Sequence, residues 1–221
     1  MEIQTLEELL QYIDGDLSWR KRELTAIKLL IDNTSGSDER LQINLRIGAV
    51  MLYAHWEGFI KNSGNYYINY LSHLPLTYVE LSDGIVTLSL RGEIKNCSES
   101  NKVTIHYKIV NKLINQLNSE AKIPFKDIVS PTDILDYALF YEILFTLGLN
   151  SEYFELKQQL IDRELIRNRN DVAHGRQTSL GMDDFYTLYS HLIPMLEKFK
   201  LLIVDSAIRE QYKKRRGECV V

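Results

Sequence analysis

Residues 162–176 of the 221-residue chain read DRELIRNRNDVAHGR and hold four arginines, together with a histidine that directly precedes a glycine. At about 100° per residue, Arg169 falls on the same helix face as Leu165 and Val172. An apolar face of this kind is normally buried, and an arginine belongs there only where it lines a cleft or an interface. The stretch therefore predicts a helix whose inner side opens onto a polar site.

A second, polar stripe of the same helix points in another direction. It consists of Arg163, Arg167, Asn170 and His174. Ideal helix geometry separates Arg169 from His174 by about 140°. For both residues to serve one site, the helix must end near His174, or the site must lie between two helices or two subunits.

The same residues also have a purely structural interpretation. Gly175 suits the position after a helix end, where a left-handed backbone is common. A histidine and arginines in the last turn favour the negative end of the helix dipole. From the residues alone, this interpretation is preferred over a catalytic one.

The rest of the chain predicts an all-α protein. Apolar residues recur at helical spacing over most of a sequence with 45% hydrophobic residues, 11 glycines and 4 prolines. Helices are predicted at 3–14, 17–31, about 38–71, 103–118, about 131–147, from 151 toward 174, and from 182 to about 216. Candidate caps are Ser37, Thr132 or Asp133, and Ser151.

We expect one domain over residues 1–221, with its core at about 38–74 and 131–216 and an irregular insertion at about 75–130. Within the insertion, residues 85–90 predict either a short strand or a buried helical turn, because periodicity does not separate the two over so short a run.

Three glycines would lie inside the long helix predicted at about 38–71, where each costs about 1 kcal/mol relative to alanine. They are Gly48, Gly58 and Gly64. The close approach of a neighbouring helix would explain them, since glycine has no side chain to obstruct it.

Two motifs together resemble the HEPN superfamily of helical bundles, which occur in prokaryotic toxins, phage-defence proteins and CRISPR effectors. Arg169-Asn170-Asp171-Val172-Ala173-His174 matches the R-x4-H signature of that superfamily. Trp56-Glu57-Gly58-Phe59 resembles the first core helix of a subfamily of small bacterial HEPN proteins. The resemblance spans much of residues 40–210, apart from the insertion, and implies an all-α HEPN-like bundle.

Active HEPN proteins are metal-independent endoribonucleases that usually work as dimers, with two R-x4-H motifs facing one cleft. The resemblance implies that His174 acts as general acid or base, and that Arg169 holds the scissile phosphate. It implies that Asn170 orients His174 or hydrogen-bonds the phosphate. Histidine suits proton transfer near neutral pH, and arginine offers a fixed cation with paired donors. No cofactor and no metal site is implied.

Residues around the motif have both a functional and a structural interpretation. Three arginines would bind flanking phosphates, or else form ion pairs with Asp162 and Glu164: Arg163, Arg167 and Arg176. Glu57 would contact the site residues without touching the substrate, or pair with Lys61 at i+4. His55 and Trp56 are predicted packing residues, and Lys213–Arg216 a solvated helix end.

The formal net charge of −4 excludes a protein that coats nucleic acid over its whole surface, but it permits a narrow basic cleft. Two cysteines make neither a disulfide framework nor a zinc site. The N-terminal residues MEIQTLEELL lack the features of a secretory signal. We expect a cytoplasmic protein whose partners are RNA, a second copy of the chain, and an antitoxin or regulatory protein, with no membrane partner.

The leading hypothesis is an endoribonuclease of a toxin or phage-defence system. The alternative is a catalytically inactive HEPN module that binds RNA or a protein partner. A third is a structural dimer in which Arg169 pairs with acidic residues across the interface. HEPN toxins paired with nucleotidyltransferase antitoxins carry a tyrosine two residues after the histidine. Arg176 stands there in this chain, so control through that tyrosine is not implied.

Overall fold

A computed structural model of the protein describes residues 2–35, 37–125, 134–176 and 179–214. Over these ranges the chain is helical and forms no β-strand, which confirms the all-α class. The helices are α1 (Leu6–Asp32), α2 (Asp38–Ser72), α3 (Asp83–Ser89), α4 (Arg91–Ser98), α5 (Val103–Asn115), α6 (Tyr137–Leu147), α7 (Glu152–Glu155), α8 (Ile166–Ala173) and α9 (Met182–Ile208). A 3₁₀ turn spans Tyr78–Glu80, and a π-helix spans Leu160–Leu165 between α7 and α8. None of the helices in the described ranges combines the length and apolarity that crossing a membrane requires.

Helix α1 runs without interruption where the sequence predicted two helices with a break at 14–16. The cost of Gly15 inside a helix is about 1 kcal/mol, which burial of the inner face outweighs. Leu9, Ile13 and Leu24 on that face are fully buried. Asp16 also supports the helix through an ion pair with Arg20, one turn later.

Helix α2 is the centre of the bundle. Helix α1, which lies outside the predicted core ranges, packs along α2, and α8 and α9 pack against it as well. Trp56 of α2 is fully buried, as predicted. It meets Phe140 of α6 at 4.9 Å between ring centroids, and Phe140 meets Phe154 at 4.8 Å. This aromatic cluster joins α2 to the elements that precede α8.

Two of the three glycines in α2 accept close neighbours. A Cβ at Gly48 would lie 2.7 Å from a ring carbon of Phe185 in α9, and a Cβ at Gly58 would lie 2.7 Å from Nη1 of Arg20 in α1. At Gly64 a Cβ would meet its nearest atom at 3.5 Å, which is ordinary van der Waals contact. Close approach therefore explains Gly48 and Gly58 but not Gly64.

The irregular region contains short helices and no strand within its described residues. Residues 85–90, for which a strand or a helical turn was predicted, fall mostly in helix α3, and Ile85 is fully buried. Helix α3 packs against α6, and α4 packs against α5. The predicted caps Thr132 and Asp133 lie outside the described residues. Helix α6 begins at Tyr137, where the side chain of Asp136 accepts a hydrogen bond from the Leu139 amide.

The approach to the arginine-rich stretch differs from the single helix that the sequence predicted. The chain forms the short α7 after Ser151, then the π-helix Leu160–Leu165, then α8. A wheel drawn at a constant 100° per residue does not represent the wider turn of a π-helix. Leu165 is buried as predicted, whereas Val172 is only half-buried and Asp171 is buried.

The last helix is shorter than predicted. Helix α9 ends at Ile208, and Glu210 adopts a positive φ of 51°, which breaks the helical path. Lys213 pairs with Glu210, and Lys214 lies 3.1 Å from Asp83. Arg215 and Arg216 lie outside the described residues.

Candidate functional site

Helix α8 ends in a Schellman motif that fixes the backbone of His174. The amide of Arg176 donates to the carbonyl of Asp171, and the amide of Gly175 donates to the carbonyl of Val172. Gly175 has a φ of +67°, which a glycine adopts without strain. The helix thus ends directly before His174, one of the conditions under which Arg169 and His174 can serve a single site.

The turn after His174 is held to the bundle by two further contacts. Nη2 of Arg46 in α2 donates to the carbonyl of Arg176 at 3.1 Å. Nη1 of Arg176 donates to Oδ1 of Asp171 at 2.9 Å. The position of His174 relative to α2 is therefore set by side chains on both sides of the turn.

Asp171 is the one acidic residue inside the motif, and it is 7% exposed. Besides Arg176, it faces Arg167, whose Nε lies 3.7 Å from Oδ2. Both arginines are largely exposed, so these contacts orient two cations at the surface more than they stabilise the fold. The sequence predicted Asp162 and Glu164 as alternative ion-pair partners of these arginines. Asp162 instead accepts a hydrogen bond from the Tyr137 amide at the start of α6.

Arg169 is half-buried and faces α2. Its guanidinium carbon lies 5.6 Å from the centroid of the Tyr53 ring, within the range of a cation–π contact. Nη1 of Arg169 donates to Oδ1 of Asn170 at 2.8 Å. The Asn170 side chain thus lies on Arg169, and makes no hydrogen bond to His174. The guanidinium is oriented from two sides before any ligand arrives.

Behind Arg169, Tyr53 connects α2 to the start of α6. The Tyr53 hydroxyl accepts a hydrogen bond from the Leu135 amide at 2.8 Å and hydrogen-bonds Glu57. Burial raises the pKa of Tyr53 well above its usual value, and the nearby Glu57 carboxylate adds to the rise. The neutral hydroxyl donates a hydrogen bond to the Glu57 carboxylate. Glu57 in turn accepts a hydrogen bond from Nζ of Lys61 at 2.9 Å, which is the predicted i+4 pair.

The two predicted site residues that remain to be placed are His174 and Arg163. The His174 side chain is exposed and makes no hydrogen bond or ion pair with another residue of the described ranges. Arg163 is exposed in the π-helix. The structure therefore assembles one group around Arg169, with Asn170, Tyr53 and Glu57, and a second around Asp171 with two arginines.

Sequence reasoning missed Tyr53 and Asp171. A signal for Tyr53 was present, since it precedes Glu57 by one helical turn and so shares its face. Asp171 lies inside the motif but was not assigned a role, because its contact with Arg176 depends on the turn that follows α8.

Chemically, the Arg169 group presents a cation with oriented donors, which suits the binding of a phosphate. An exposed imidazole lies at the end of the same helix. In the described part of the chain, no group of three histidine, cysteine, aspartate or glutamate side chains could hold a metal ion.

Comparison with known proteins identifies one family. Residues 16–205 match the family model described as RiboL-PSP-HEPN, which confirms the HEPN resemblance and the HEPN-like bundle. No curated protein and no solved structure matches the chain. The matched range includes the long helix α2, the R-x4-H motif and most of α9. The chain therefore belongs to the RiboL-PSP-HEPN family.

Proposed function

We propose that the protein is an endoribonuclease of a toxin or phage-defence system, which cuts RNA without a metal ion in a cleft shared by two copies of the chain. The observation that carries this proposal is the arrangement of Arg169. Its guanidinium is held by Tyr53 and Asn170, and the exposed His174 follows five residues later at the end of the same helix. An arginine with only a structural role would more often pair with a carboxylate.

The reaction needs only groups that the chain supplies. The ribose 2′-OH attacks the adjacent phosphorus, a bond from O2′ to phosphorus forms, and the bond from phosphorus to O5′ breaks. The His174 imidazole of one copy removes the proton from the 2′-OH, and the protonated His174 of the other copy gives a proton to the leaving O5′. The charge that develops on the phosphate oxygens is stabilised by Arg169. Because the 2′-OH is the nucleophile, RNA is the substrate and DNA is not.

Two copies of the chain account for the different directions in which Arg169 and His174 face within one copy. Arg169 faces α2, whereas His174 lies at the helix end and points to solvent. A second α8 across a two-fold axis brings another His174 and Arg169 to the same phosphate. The flanking Arg163, Arg167 and Arg176 then bind neighbouring phosphates along the strand.

The test is an RNA cleavage assay with the purified full-length protein. Arg169→Ala and His174→Ala should each reduce the cleavage rate by about 100-fold or more, the usual effect of removing a transition-state contact. Matched controls are Arg22→Ala in α1 and His106→Ala in α5, both exposed and far from the motif along the chain. These controls should cut at the rate of the unchanged protein.

Two additions sharpen the assay. A chelator should leave the rate unchanged, and a strand with one 2′-deoxyribose at the cut should resist cleavage at that position. If the unchanged protein binds RNA but never cuts it, the inactive-module alternative replaces this proposal. If Arg169→Ala alters only the stability of a dimer, the protein is a structural dimer instead.

A further inference from the structure

A pocket of about 470 Å³ opens between α1 and α2, away from the motif. Its size falls in the roughly 300–1,000 Å³ range of small-molecule sites. Tyr66 on its α2 wall lies about 140° around the helix axis from Tyr53, so the pocket and Arg169 occupy different sides of α2. The pocket is lined by Gln11, Tyr12, Gly15, Asp16, Trp19 and Tyr66.

One wall of the pocket is held rigidly in place. Nε1 of Trp19 donates to Oδ1 of Asp16 at 2.6 Å, and Nε of Arg20 donates to the same oxygen at 3.1 Å. The Arg20 guanidinium also lies over the Trp19 ring, 4.6 Å from its centroid. Asp16 and Arg20 are both buried. The indole of Trp19 is thus held in place by Asp16 and Arg20, while 41% of the residue is exposed to solvent.

The other wall is also aromatic. The rings of Tyr12 and Tyr66 lie 5.6 Å apart at an angle of 39°. Tyr12 is 38% exposed, and Tyr66 is half-buried. Three aromatic rings therefore border one opening, and two of them, Tyr12 and Trp19, are partly exposed to water.

The charges around the pocket indicate which ligand fits. No lysine or arginine lines it, so it lacks the donors that a phosphate needs. The charge of Asp16 is balanced by Arg20, so a bare cation would find no unpaired carboxylate. A flat, neutral ring can stack on the aromatic walls, while the Gln11 amide offers hydrogen bonds at its edge. The second oxygen of Asp16 already accepts a hydrogen bond from Asn62 at 3.4 Å.

We propose that this pocket binds a nucleobase. That RNA is the natural source of the base rests on the proposed function. A free nucleoside carries the same ring, and the experiment separates these two sources.

Fluorescence provides a direct measurement. The chain has two tryptophans, and Trp56 is fully buried, so quenching by an added base reports on Trp19. The probes are adenosine, guanosine, cytidine, uridine and RNA tetranucleotides, added to the otherwise complete chain carrying His174→Ala so that no RNA is cut. Saturable quenching is expected, and it should vanish in Trp19→Phe.

Gly15 offers a variant that fills the pocket without disturbing the helix. A Cβ at Gly15 would meet no atom within 4 Å, and the same is true of Gly92 in α4. Gly15→Leu should weaken base binding about ten-fold or more, the scale of one lost stacking contact. Gly92→Leu adds the same side chain elsewhere and should bind as the parent does.

The outcomes are distinct. Tighter binding of tetranucleotides than of nucleosides supports a base within RNA, and equal binding supports a free nucleoside. Absence of saturable quenching up to the solubility limit of every probe overturns the inference, as does equal binding by Gly15→Leu. Binding of choline in place of bases would instead make the pocket a cation site. If bases bind but the protein never cuts RNA, the pocket stands and the proposed function fails.

Discussion

Gly58 allows the packing between α1 and α2 to be tested with a single methyl group. A Cβ at this position would lie 2.7 Å from Nη1 and 2.9 Å from Nη2 of Arg20. Arg20 is 5% exposed and cannot swing into solvent. Its Nε is bonded to Asp16, and its guanidinium lies over Trp19. Gly58→Ala must therefore move a side chain that is held on two sides.

The expected change in unfolding free energy on Gly58→Ala is the difference between two effects. Alanine in place of glycine inside a helix stabilises by up to about 1 kcal/mol. Displacing Arg20 costs about 3 kcal/mol, through overpacking of about 1–3 kcal/mol and a weakened charged hydrogen bond to buried Asp16. The net loss of unfolding free energy is about 2 kcal/mol. For a chain of this size, that lowers Tm by about 4–8 °C.

Thermal unfolding followed by circular dichroism measures this change. Gly15→Ala is the matched control, because its Cβ meets open space, and it should raise Tm by about 2–4 °C. In an Arg20→Ala background the obstacle is gone, so Gly58→Ala should there be neutral or stabilising. A Gly58→Ala protein as stable as the unchanged chain would refute this account of the α1–α2 contact.

Three further predictions concern single side chains. Burial, with Arg20 nearby, lowers the pKa of His55, so below about pH 6.5 the unfolded chain binds a proton that the folded chain does not. The unfolding free energy should therefore fall as pH drops below about 6.5, with a smaller fall in His55→Gln, as measured by urea unfolding across pH. Tyr53→Phe removes the acceptor of the Leu135 amide and should cost about 1–3 kcal/mol, measured by the same unfolding; no loss would contradict that contact. Asp171→Asn should lower the unfolding free energy by less than about 1 kcal/mol, because its partner Arg176 is largely exposed. The same change removes a negative charge and should therefore strengthen RNA binding at low salt, as measured by fluorescence anisotropy. Unchanged affinity would argue against RNA at this surface.

Much of the fold follows from local patterns in the sequence. Helix α2 begins at Asp38 and ends at Ser72, one residue beyond the prediction, because its periodic apolar residues and flanking polar turns agree. The break predicted at 14–16 was wrong, since the local cost of Gly15 is small beside the apolar surface that α1 buries. The nature of residues 85–90 could not be decided from so short an apolar run, and packing against α6 determines it.

The candidate site was predictable in part. The inward position of Arg169 followed from the helical wheel, and Gly175 correctly marked the helix end. The partner under Arg169 could not be predicted, because Tyr53 is distant in sequence and only the packing of α8 on α2 brings the two together. The burial of Asp171 could not be predicted either, since the wheel places it about 160° around α8 from Arg169 and its contact with Arg176 depends on the turn after the helix.

The π-helix before α8 determines how the loss of one residue would affect the direction in which Arg169 faces. Residues Leu160–Leu165 adopt the wider π-helical turn, which holds one residue more than an α-helix of the same span. Deleting one residue there would let the segment revert to α-helical bonding and would leave α8 facing the same way, because five residues of a π-turn and four residues of an α-turn rotate the chain by nearly the same angle. A deletion in α8 between its start and Arg169 would instead turn everything after it by about 100° and move Arg169 away from Tyr53. The π-helix is thus a place where relatives of this protein could lose one residue and still keep Arg169 against Tyr53.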